Sequence, residues 1–248
     1  MKFYRNFLFI FVTVVSICVF LSTPLSAGNS PDTIPVLAYH RVGYTSDPLT
    51  VTPEQFKRDL SELQQQGYET ISINSFEDYM SGKEIQLPSK PILITFDDSY
   101  QDNYVAAFPI LRQYHAIATF FVITGVIDKS PDRLSSLEIL EMSAAGMSFG
   151  SHTVTHTPLG QEPDEWMRNE LLQSKQFLEA LLKTPINTIA YPEGNYTTNT
   201  IKIANEVGYT EGFSVKPGIC NSMDPHFVIP RVAIFHFTGD VIRALNRA

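Results

Sequence analysis

One apolar run constrains the fold of this 248-residue chain more than any other stretch. Residues 91–96 (PILITF) form a continuous segment of strand length, and two acids, Asp97 and Asp98, follow it directly. Such a run is typical of a strand buried on both faces in a parallel sheet. The acids then lie at the carboxyl end of the strand, where α/β proteins place their chemistry. Because neighbouring side chains in an extended chain point to opposite sides, the two acids can have different roles.

Strand and helix patterns alternate along the chain and predict a parallel α/β sheet or barrel. The predicted strands cover residues 35–39, 69–73, 91–96, 118–123, 147–150, 188–191, 209–215 and 227–235. The predicted helices cover residues 53–66, 76–80, 102–114, 136–145, 163–182, 198–207 and 240–246. We expect Pro109 to kink the third helix and Val105 to face inward from it. Trp166 and Phe177 are expected to be buried positions of the fifth helix.

The first 27 residues have the pattern of an export signal. Lys2 and Arg5 precede an apolar stretch, and small residues lead to Ala27, after which cleavage is expected. An uncleaved membrane anchor is the alternative, whereas the residues before Cys18 do not favour a lipoprotein. A linker over residues 28–34 would join this segment to a single domain over the remainder, residues 35–248. The sequence therefore predicts a secreted, periplasmic or cell-surface protein, either free or associated with a membrane through its N-terminal segment.

Charge and cysteine content argue against a nucleic-acid-binding protein and against a fold stabilised by an internal disulfide. Without residues 1–27, 16 basic and 26 acidic residues remain and give a net charge of −10. A domain this acidic is not expected to bind nucleic acid. Cys220 is the only cysteine left in that part of the sequence, so it cannot form an internal disulfide and the fold must rely on its apolar core. Nothing in the composition fixes an oligomeric state.

Polar residues able to do chemistry follow four of the predicted strands. They are His40, the pair Asp97 and Asp98, His152 with His156, and the turn 191–194. In a barrel these groups converge on one face. Two imidazoles four residues apart can bind one metal, and the β-branched residues 153–155 favour a turn between them. With one carboxylate they would make a three-ligand site that leaves a position open for water, as catalytic zinc requires, and the second acid could act as a base.

Three segments together resemble the motifs of a known family: residues 95–98 (TFDD), 151–156 (SHTVTH) and 191–194 (YPEG). They are similar to the polysaccharide deacetylases, the NodB-homology domains of carbohydrate esterase family four. The resemblance covers most of residues 35–235. It implies a distorted (β/α) barrel with about seven parallel strands, and metal-dependent hydrolysis of N-acetyl groups on a sugar polymer.

The resemblance also implies roles for individual residues. Asp97 matches the general base, and Asp98, His152 and His156 match the ligands of a divalent metal. Zinc is preferred for one carboxylate and two imidazoles, although cobalt or nickel could substitute. The third motif implies an oxyanion-binding N–H at Glu193, since Pro192 has none. Tyr191 of the same motif is expected beside the substrate.

The segment 39–41 (YHR) resembles a permuted branch of the family, in which the acid histidine comes from the first strand. That branch includes the deacetylases of poly-β-1,6-N-acetylglucosamine, which makes this polymer the first choice of substrate, with peptidoglycan and chitin-like polymers as alternatives. His40 is then the expected general acid. His236, which follows the last long strand, is the alternative because unpermuted members place their acid there.

Two departures from the family pattern bear on the site. Ser99 stands where many members have glycine, which is tolerable if the turn does not need a positive φ. Ala190 stands where many members have an arginine that holds the base. Arg231 could replace that arginine, although a surface or strand-end position is slightly preferred for it.

Two other functions also fit parts of this pattern. A glycosidase would use two carboxylates, but it needs them to face each other across a bond, whereas Asp97 and Asp98 are sequence neighbours. A non-catalytic glycan-binding module on the same fold would not need both acids and both histidines. The preferred hypothesis is an exported, metal-dependent N-deacetylase that acts on N-acetylglucosamine units of a polysaccharide.

Overall fold

The structure is a computed structural model and describes residues 31–248. The predicted export segment, residues 1–27, lies outside the described residues. The strands are β1 (Thr33–Ile34), β2 (Val36–Tyr39), β3 (Arg41–Val42), β4 (Thr50–Val51), β5 (Glu69–Thr70), β6 (Pro91–Phe96), β7 (Thr119–Val122), β8 (Ser148–Ser151), β9 (Thr188–Ala190), β10 (Glu211–Phe213), β11 (Cys220–Asn221) and β12 (Val232–Ala233). The α-helices are α1 (Pro53–Gln65), α2 (Ile73–Met80), α3 (Phe108–Gln113), α4 (Ser136–Ala144), α5 (Asp164–Leu182), α6 (Thr198–Val207) and α7 (Val241–Leu245). Among residues 31–248, no helix combines the length and apolar character needed to cross a bilayer.

One parallel sheet organises the molecule. Its strand order is β10-β9-β8-β7-β6-β2-β12, with β5 paired to the start of β6. Every pairing within it is parallel, and helices connect most successive strands. Seven strands in one continuous order confirm the predicted α/β fold, a distorted (β/α) barrel. All carboxyl ends therefore lie at one edge of the curled sheet, the edge where we expected the site.

Residues 226–234 connect the two lateral sides of the curled sheet, β10 on one side and β2 on the other. The first half of this segment bonds β10 and the residues after it: the Gly212 N–H donates to the His226 carbonyl, and the Ser214 N–H donates to the Ile229 carbonyl. The second half contains β12, which pairs with β2, and the Ile234 N–H donates to the Ala38 carbonyl. The strand predicted over 227–235 is thus divided between two neighbours, and only two of its residues form a regular ladder.

The alternation of side chains along β6 separates two apolar clusters. Leu93 lies in a cluster inside the barrel with Phe213, whereas Ile94 and Phe96 lie in the larger cluster between the sheet and the outer helices. Because the side-chain period of a strand is two, Asp97 is on the side of Leu93 and faces the barrel interior. Asp98 follows in a turn with a φ of 74°, so the strand alternation does not extend to it, and its carboxylate meets His152 and His156.

The predicted linker ends in regular structure. Thr33–Ile34 pair antiparallel with Cys220–Asn221, and Ile34 is fully buried. The four-residue strand β2 then begins at Val36. The N-terminal end of the described chain is therefore attached to the domain by a strand rather than by a flexible connection.

The helix predicted over 102–114 begins as a π-helix, Asn103–Ala107, and continues as α3. Pro109 explains the change, since it has no N–H to give the Val105 carbonyl and its ring would clash with that group. The wider π turn accommodates this and shifts the register of the side chains. The expectation that Val105 faces inward is therefore wrong: it is 61% exposed.

Helix α5 follows the predicted apolar stripe with one exception. Leu171 and Leu178 are buried, and Trp166 packs against the core as expected. Phe177 was expected to be buried but is exposed, because it lies one position before Leu178 and so on a different side of the helix.

Three carboxyl groups away from the carboxyl edge of the sheet are withdrawn from water: Asp59 and Glu211 are buried, and Glu77 is half-buried. Burial raises the pKa of Asp59, Glu77 and Glu211 to about 7 in each case. Asp59 and Glu211 are both almost completely buried; the Thr210 hydroxyl donates to Glu211, and His226 Nδ1 lies 3.5 Å from Glu211 Oε1. A carboxyl group in such a place holds its proton more tightly than it does in the unfolded chain.

This raised pKa predicts the direction of the pH dependence of stability. The folded-state pKa of Glu211, about 7, exceeds its ordinary value of 4.5, so its contribution is fully present below pH 4.5 and is lost as the pH rises through 7. The full loss is about 3 kcal/mol. Glu211→Gln should flatten the fall in unfolding free energy between pH 5 and 8, measured by urea denaturation. Glu165→Gln, on the exposed face of α5, is the control; an unchanged slope in Glu211→Gln would contradict the prediction.

Candidate active site

A buried ion pair lies beneath the carboxyl edge of β6. Arg231 Nη1 and Nη2 donate to the two oxygens of Asp97 at 2.9 and 2.8 Å, and both residues are 3% exposed. Arg231 Nε also donates to the Ser214 carbonyl at 2.9 Å, and Nη1 lies 3.2 Å from the Thr95 hydroxyl. Burial alone would raise the pKa of Asp97, but attraction to Arg231 and His152 outweighs it and lowers the pKa. Asp97 is therefore held as a carboxylate.

This pair corrects the prediction for Arg231. A surface or strand-end position was preferred, but the guanidinium is buried and bidentate on Asp97. The segment 226–234 places it there by running from β10 to β2 across the barrel. Arg231 thus occupies the role that Ala190, on β9, cannot fill.

Asp98, His152 and His156 converge as the sequence predicted. Asp98 Oδ1 lies 3.3 Å from His152 Nε2 and 3.1 Å from His156 Nε2, and the ligand atoms of all three residues lie within 4.8 Å of one another. Ligands about 2.0–2.1 Å from a tetrahedral zinc lie about 3.3–3.5 Å apart, so these distances fit a single small cation. Asp98 Oδ1 is buried and has no hydrogen-bond partner within residues 31–248, as expected of an oxygen that binds a cation.

Contacts behind His152 orient its ring toward the same point. Its Nδ1 lies 2.7 Å from the Ala190 carbonyl and donates to it, which leaves Nε2 with a free lone pair toward Asp98. Such a bond fixes the tautomer of a metal-binding histidine. Burial would lower the pKa of His152, but the nearby Asp98 and Asp97 carboxylates raise it overall.

The loop that carries the two histidines is a turn, as its β-branched residues predicted. Thr153 and His156 both have a φ of 65°, in the left-handed region. The Thr153 hydroxyl accepts from the His156 N–H, and Glu170 Oε2 on α5 accepts from the N–H groups of Val154 and Thr155 at 2.9 and 2.8 Å. Glu170 is a buried acid that sequence reasoning missed; its place on the inner face of α5 was the available signal.

The turn after β6 is also strained and is held from outside. Asp98 and Ser99 have φ values of 74° and 60°. The turn therefore does need a positive φ at position 99, where serine is less favourable than the glycine of many family members. A left-handed residue other than glycine costs roughly 1–2 kcal/mol. The Ser99 hydroxyl accepts from the Ile123 N–H at 2.7 Å, and Arg133 Nη1 donates to the Asp98 carbonyl at 2.8 Å. The Leu134 N–H donates to the Ser99 carbonyl and completes the support.

Tyr100 continues this turn between two guanidinium groups. The Arg41 and Arg133 guanidinium carbons lie 4.3 and 4.1 Å from the centre of its ring. Arg41 is also paired with Asp102 at 2.8 Å. These stacked charges fix the Tyr100 ring and the backbone beside Asp98.

His40 lies in the site, whereas His236 does not. His40 is half-buried, and its Nδ1 is buried without a hydrogen-bond partner among the described residues. Burial lowers its pKa, partly against the attraction of Asp97 and Asp98. Tyr39 pairs with Phe96, so His40 follows β2 at the level of Asp97. His236 is exposed, with Nδ1 3.3 Å from the Pro48 carbonyl on the rim.

The third motif consists of a turn around Glu193 and a tyrosine, Tyr191, whose ring is buried in the core. The N–H groups of Gly194 and Asn195 donate to the carbonyls of Tyr191 and Pro192, and Glu193 between these groups has a φ of 54°. The expectation that Tyr191 lies beside the substrate is wrong. Its ring is 1% exposed and packs in the cluster beneath the outer helices, because it alternates with Ala190, which faces the barrel interior.

Comparisons with known proteins agree with this geometry. The family model described as polysaccharide deacetylase matches residues 84–212, which is more than half of the chain. The chain belongs to the polysaccharide deacetylase family. YxkH of Bacillus subtilis, named as a polysaccharide deacetylase, is 30% identical over 83% of this chain and 73% of its own length.

Two further relatives extend the match. The poly-β-1,6-N-acetyl-D-glucosamine N-deacetylase of Staphylococcus aureus is 26% identical over 75% of this chain and 68% of its own. The solved structure of the Streptococcus pyogenes deacetylase PplD in complex with acetate superposes with a TM-score of 0.81 and 31% identity, and covers 87% of this chain and 99% of that one. The protein is thus a polysaccharide deacetylase, a hydrolase of amide bonds, and the glycosidase and pure binding-module alternatives are set aside.

Two site residues of this deacetylase lie outside the matched segment. His40 precedes residue 84 and Arg231 follows residue 212, and the structure brings both to the edge that holds Asp97. The sequence signal for Arg231 was a cation within an apolar strand pattern, together with the missing arginine at position 190.

We predict that loss of Arg231 strongly destabilises the protein. Arg231→Met leaves a buried carboxylate without a partner, which costs about 3–5 kcal/mol. Asp97→Asn combined with Arg231→Met removes both charges and should recover part of that loss. Urea unfolding in chelator-treated protein measures both values. A loss below about 1 kcal/mol in Arg231→Met would mean that the pair is not needed to keep Asp97 charged in the core.

Proposed function

We propose that the protein is an exported, zinc-dependent N-deacetylase that removes acetyl groups from N-acetylglucosamine units of a cell-surface or extracellular polymer. The observation that carries this proposal is the convergence of Asp98, His152 and His156 beside a second, ionised carboxylate, Asp97. The basic and apolar pattern of residues 1–27 supports export, either with cleavage or as an N-terminal membrane anchor.

Poly-β-1,6-N-acetylglucosamine is the proposed substrate, with peptidoglycan and chitin-like polymers as alternatives. The similarity to the Staphylococcus aureus enzyme named for that polymer supports this choice, as does the first-strand position of His40. The acetate bound in the structure of PplD is the product that deacetylation releases. The alternatives differ in linkage and neighbouring groups, which only a comparison of substrates distinguishes.

Asp98, His152 and His156 would hold the metal. When bound, a divalent ion supplies Lewis-acid polarisation of the amide carbonyl and makes a nucleophile available near neutral pH. Zinc is proposed for a site of one carboxylate and two imidazoles, and cobalt or nickel would also bind. The Ala190 carbonyl keeps His152 in the tautomer that presents Nε2.

Asp97 acts as the general base. Arg231 keeps it ionised and fixes the plane of the carboxylate, so it accepts a proton from the attacking water in one defined position. The Glu193 N–H donates to the oxygen on which negative charge develops. The neighbouring N–H groups of Gly194 and Asn195 bond within the turn.

His40 acts as the general acid. An amine leaves the tetrahedral intermediate only after it is protonated, and His40 lies across the barrel edge from β9, on the strand next to Asp97. Enclosure lowers its pKa, so its protonated form is a strong donor. The Asn103 amide donates to the His40 carbonyl at 2.8 Å and holds the backbone there.

The decisive experiment is release of acetate from the three candidate polymers. The protein without residues 1–27, supplied with zinc, should release acetate fastest from poly-β-1,6-N-acetylglucosamine, and a chelator should abolish the release. Activity that survives complete metal removal would overturn the metal-dependent mechanism. Release from peptidoglycan alone would replace the proposed polymer and leave the chemistry in place.

The two neighbouring acids should differ in their variants. Asp97→Asn should retain zinc but lose turnover, because only the base is removed. Asp98→Asn should weaken zinc binding itself, because a ligand is removed. Metal content after dialysis and acetate release measure the two effects, and equal loss of metal in both variants would contradict this division of roles.

His40→Ala should keep its zinc and lose kcat by roughly two to four orders of magnitude, the range for removal of a general acid. Metal content and acetate release again separate the two effects. If His40→Ala stays fully active and His236→Ala loses kcat instead, the acid is His236 and the permuted assignment is wrong.

A further inference from the structure

Two aromatic rings stand exposed on loops at the carboxyl edge of the barrel. Phe237 is 68% exposed and Tyr44 is 74% exposed. Phe237 follows β12, and Tyr44 follows β3, which comes directly after His40. The two loops touch, since the His236 N–H donates to the Pro48 carbonyl at 3.2 Å.

The register of the sheet places the Phe237 loop beside His40. Ala233 pairs with Ala38, and the Ile234 N–H donates to the Ala38 carbonyl, so the chain continues level with β2. Phe235 is then the residue level with His40. Phe237 lies two residues further on, at the tip of a turn that rises from this position.

The Phe237 ring is exposed but packs on two neighbouring rings. It stacks on Phe235 with ring centres 5.2 Å apart and an angle of 17° between the planes, and the edge of His236 meets it at 5.1 Å and 84°. The turn is closed by two bonds: the Thr238 N–H donates to the Phe235 carbonyl, and the Phe235 N–H donates to the Thr238 hydroxyl. A large apolar ring that is fixed before binding loses little entropy when a partner covers it.

A sugar ring is the partner that this surface fits. One face of a pyranose consists largely of C–H groups, which pack on an aromatic face, while its hydroxyls remain in water. The turn 235–240 (FHFTGD) contains no lysine or arginine, and the domain has an excess of acids. An anionic membrane surface attracts basic segments, so a lipid partner is disfavoured here.

We propose that Phe237 forms a subsite that stacks on the pyranose ring next to the one being deacetylated, with Tyr44 extending the same surface. This inference rests on the proposed function, because it requires a polymer whose chain continues past the reacting sugar. Phe237 is accordingly a determinant of affinity for long substrates, whereas the reaction at the acetamide depends on Asp97 and His40.

The test compares short and long substrates. For wild type, KM should fall from the di- to the pentasaccharide of β-1,6-linked N-acetylglucosamine. Phe237→Ala should raise KM for the pentasaccharide about tenfold, which is ~1.4 kcal/mol, and leave kcat and the disaccharide KM nearly unchanged. Phe237→Trp should restore the low KM. Phe177→Ala, at an exposed phenylalanine on the outer helix α5, is the matched control.

A separate binding experiment tests the Phe237 subsite independently of the proposed deacetylase activity. Calorimetry with zinc-loaded Asp97→Asn measures pentasaccharide affinity without turnover, with and without Phe237→Ala. Equal affinity in the two proteins would overturn the subsite, whether or not wild type releases acetate. Sedimentation with phosphatidylglycerol vesicles that depends on Phe237, with unchanged pentasaccharide affinity, would assign the ring to a membrane contact and also overturn it.

Discussion

The bidentate pair between Asp97 and Arg231 is the interaction on which the rest of the site depends. Both groups are almost completely removed from water, and each oxygen of the carboxylate has its own guanidinium donor. Removing two charges from water costs as much as or more than their attraction returns, so such a pair is seldom retained for stability alone. Its consequence here is chemical: the Asp97 carboxylate, the proposed base, stays ionised inside an apolar barrel and in a fixed orientation.

Backbone strain is concentrated around this pair. Asp98, Ser99, Thr153, His156 and Glu193 all have positive φ values; Ser99 directly follows the first motif of the site, and the other four lie within the three motifs. Residues in this region persist only where the surroundings hold them. Arg133, Glu170 and the Ser99 hydroxyl supply that support through hydrogen bonds to the turns. These hydrogen bonds thus offset the strain of turns that place the site atoms.

Sequence reasoning predicted the elements that have a local signal. The apolar run before Asp97, the β-branched turn between the histidines and the period of α5 each report their own structure, and the family motifs added the convergence of the metal ligands. Arg231, Tyr191 and Val105 were misplaced because their positions depend on distant parts of the chain. Arg231 depends on how the last strand crosses from β10 to β2, Tyr191 on which face of β9 meets the core, and Val105 on a π turn caused by Pro109.

The position of Arg231 also links closure of the barrel to catalysis. His40 comes from β2, near the start of the described chain, and Arg231 comes from the segment that leads into β12, near its end; β2 and β12 are paired. An arginine on β9, at position 190, would reach the base from within the matched segment 84–212. With alanine there, Asp97 acquires its partner only when the last strand has closed the sheet against the first. The same backbone hydrogen bonds that complete the fold therefore bring Arg231 to the charge of Asp97, and they bring His40 and the Phe237 turn to adjacent positions at the same edge.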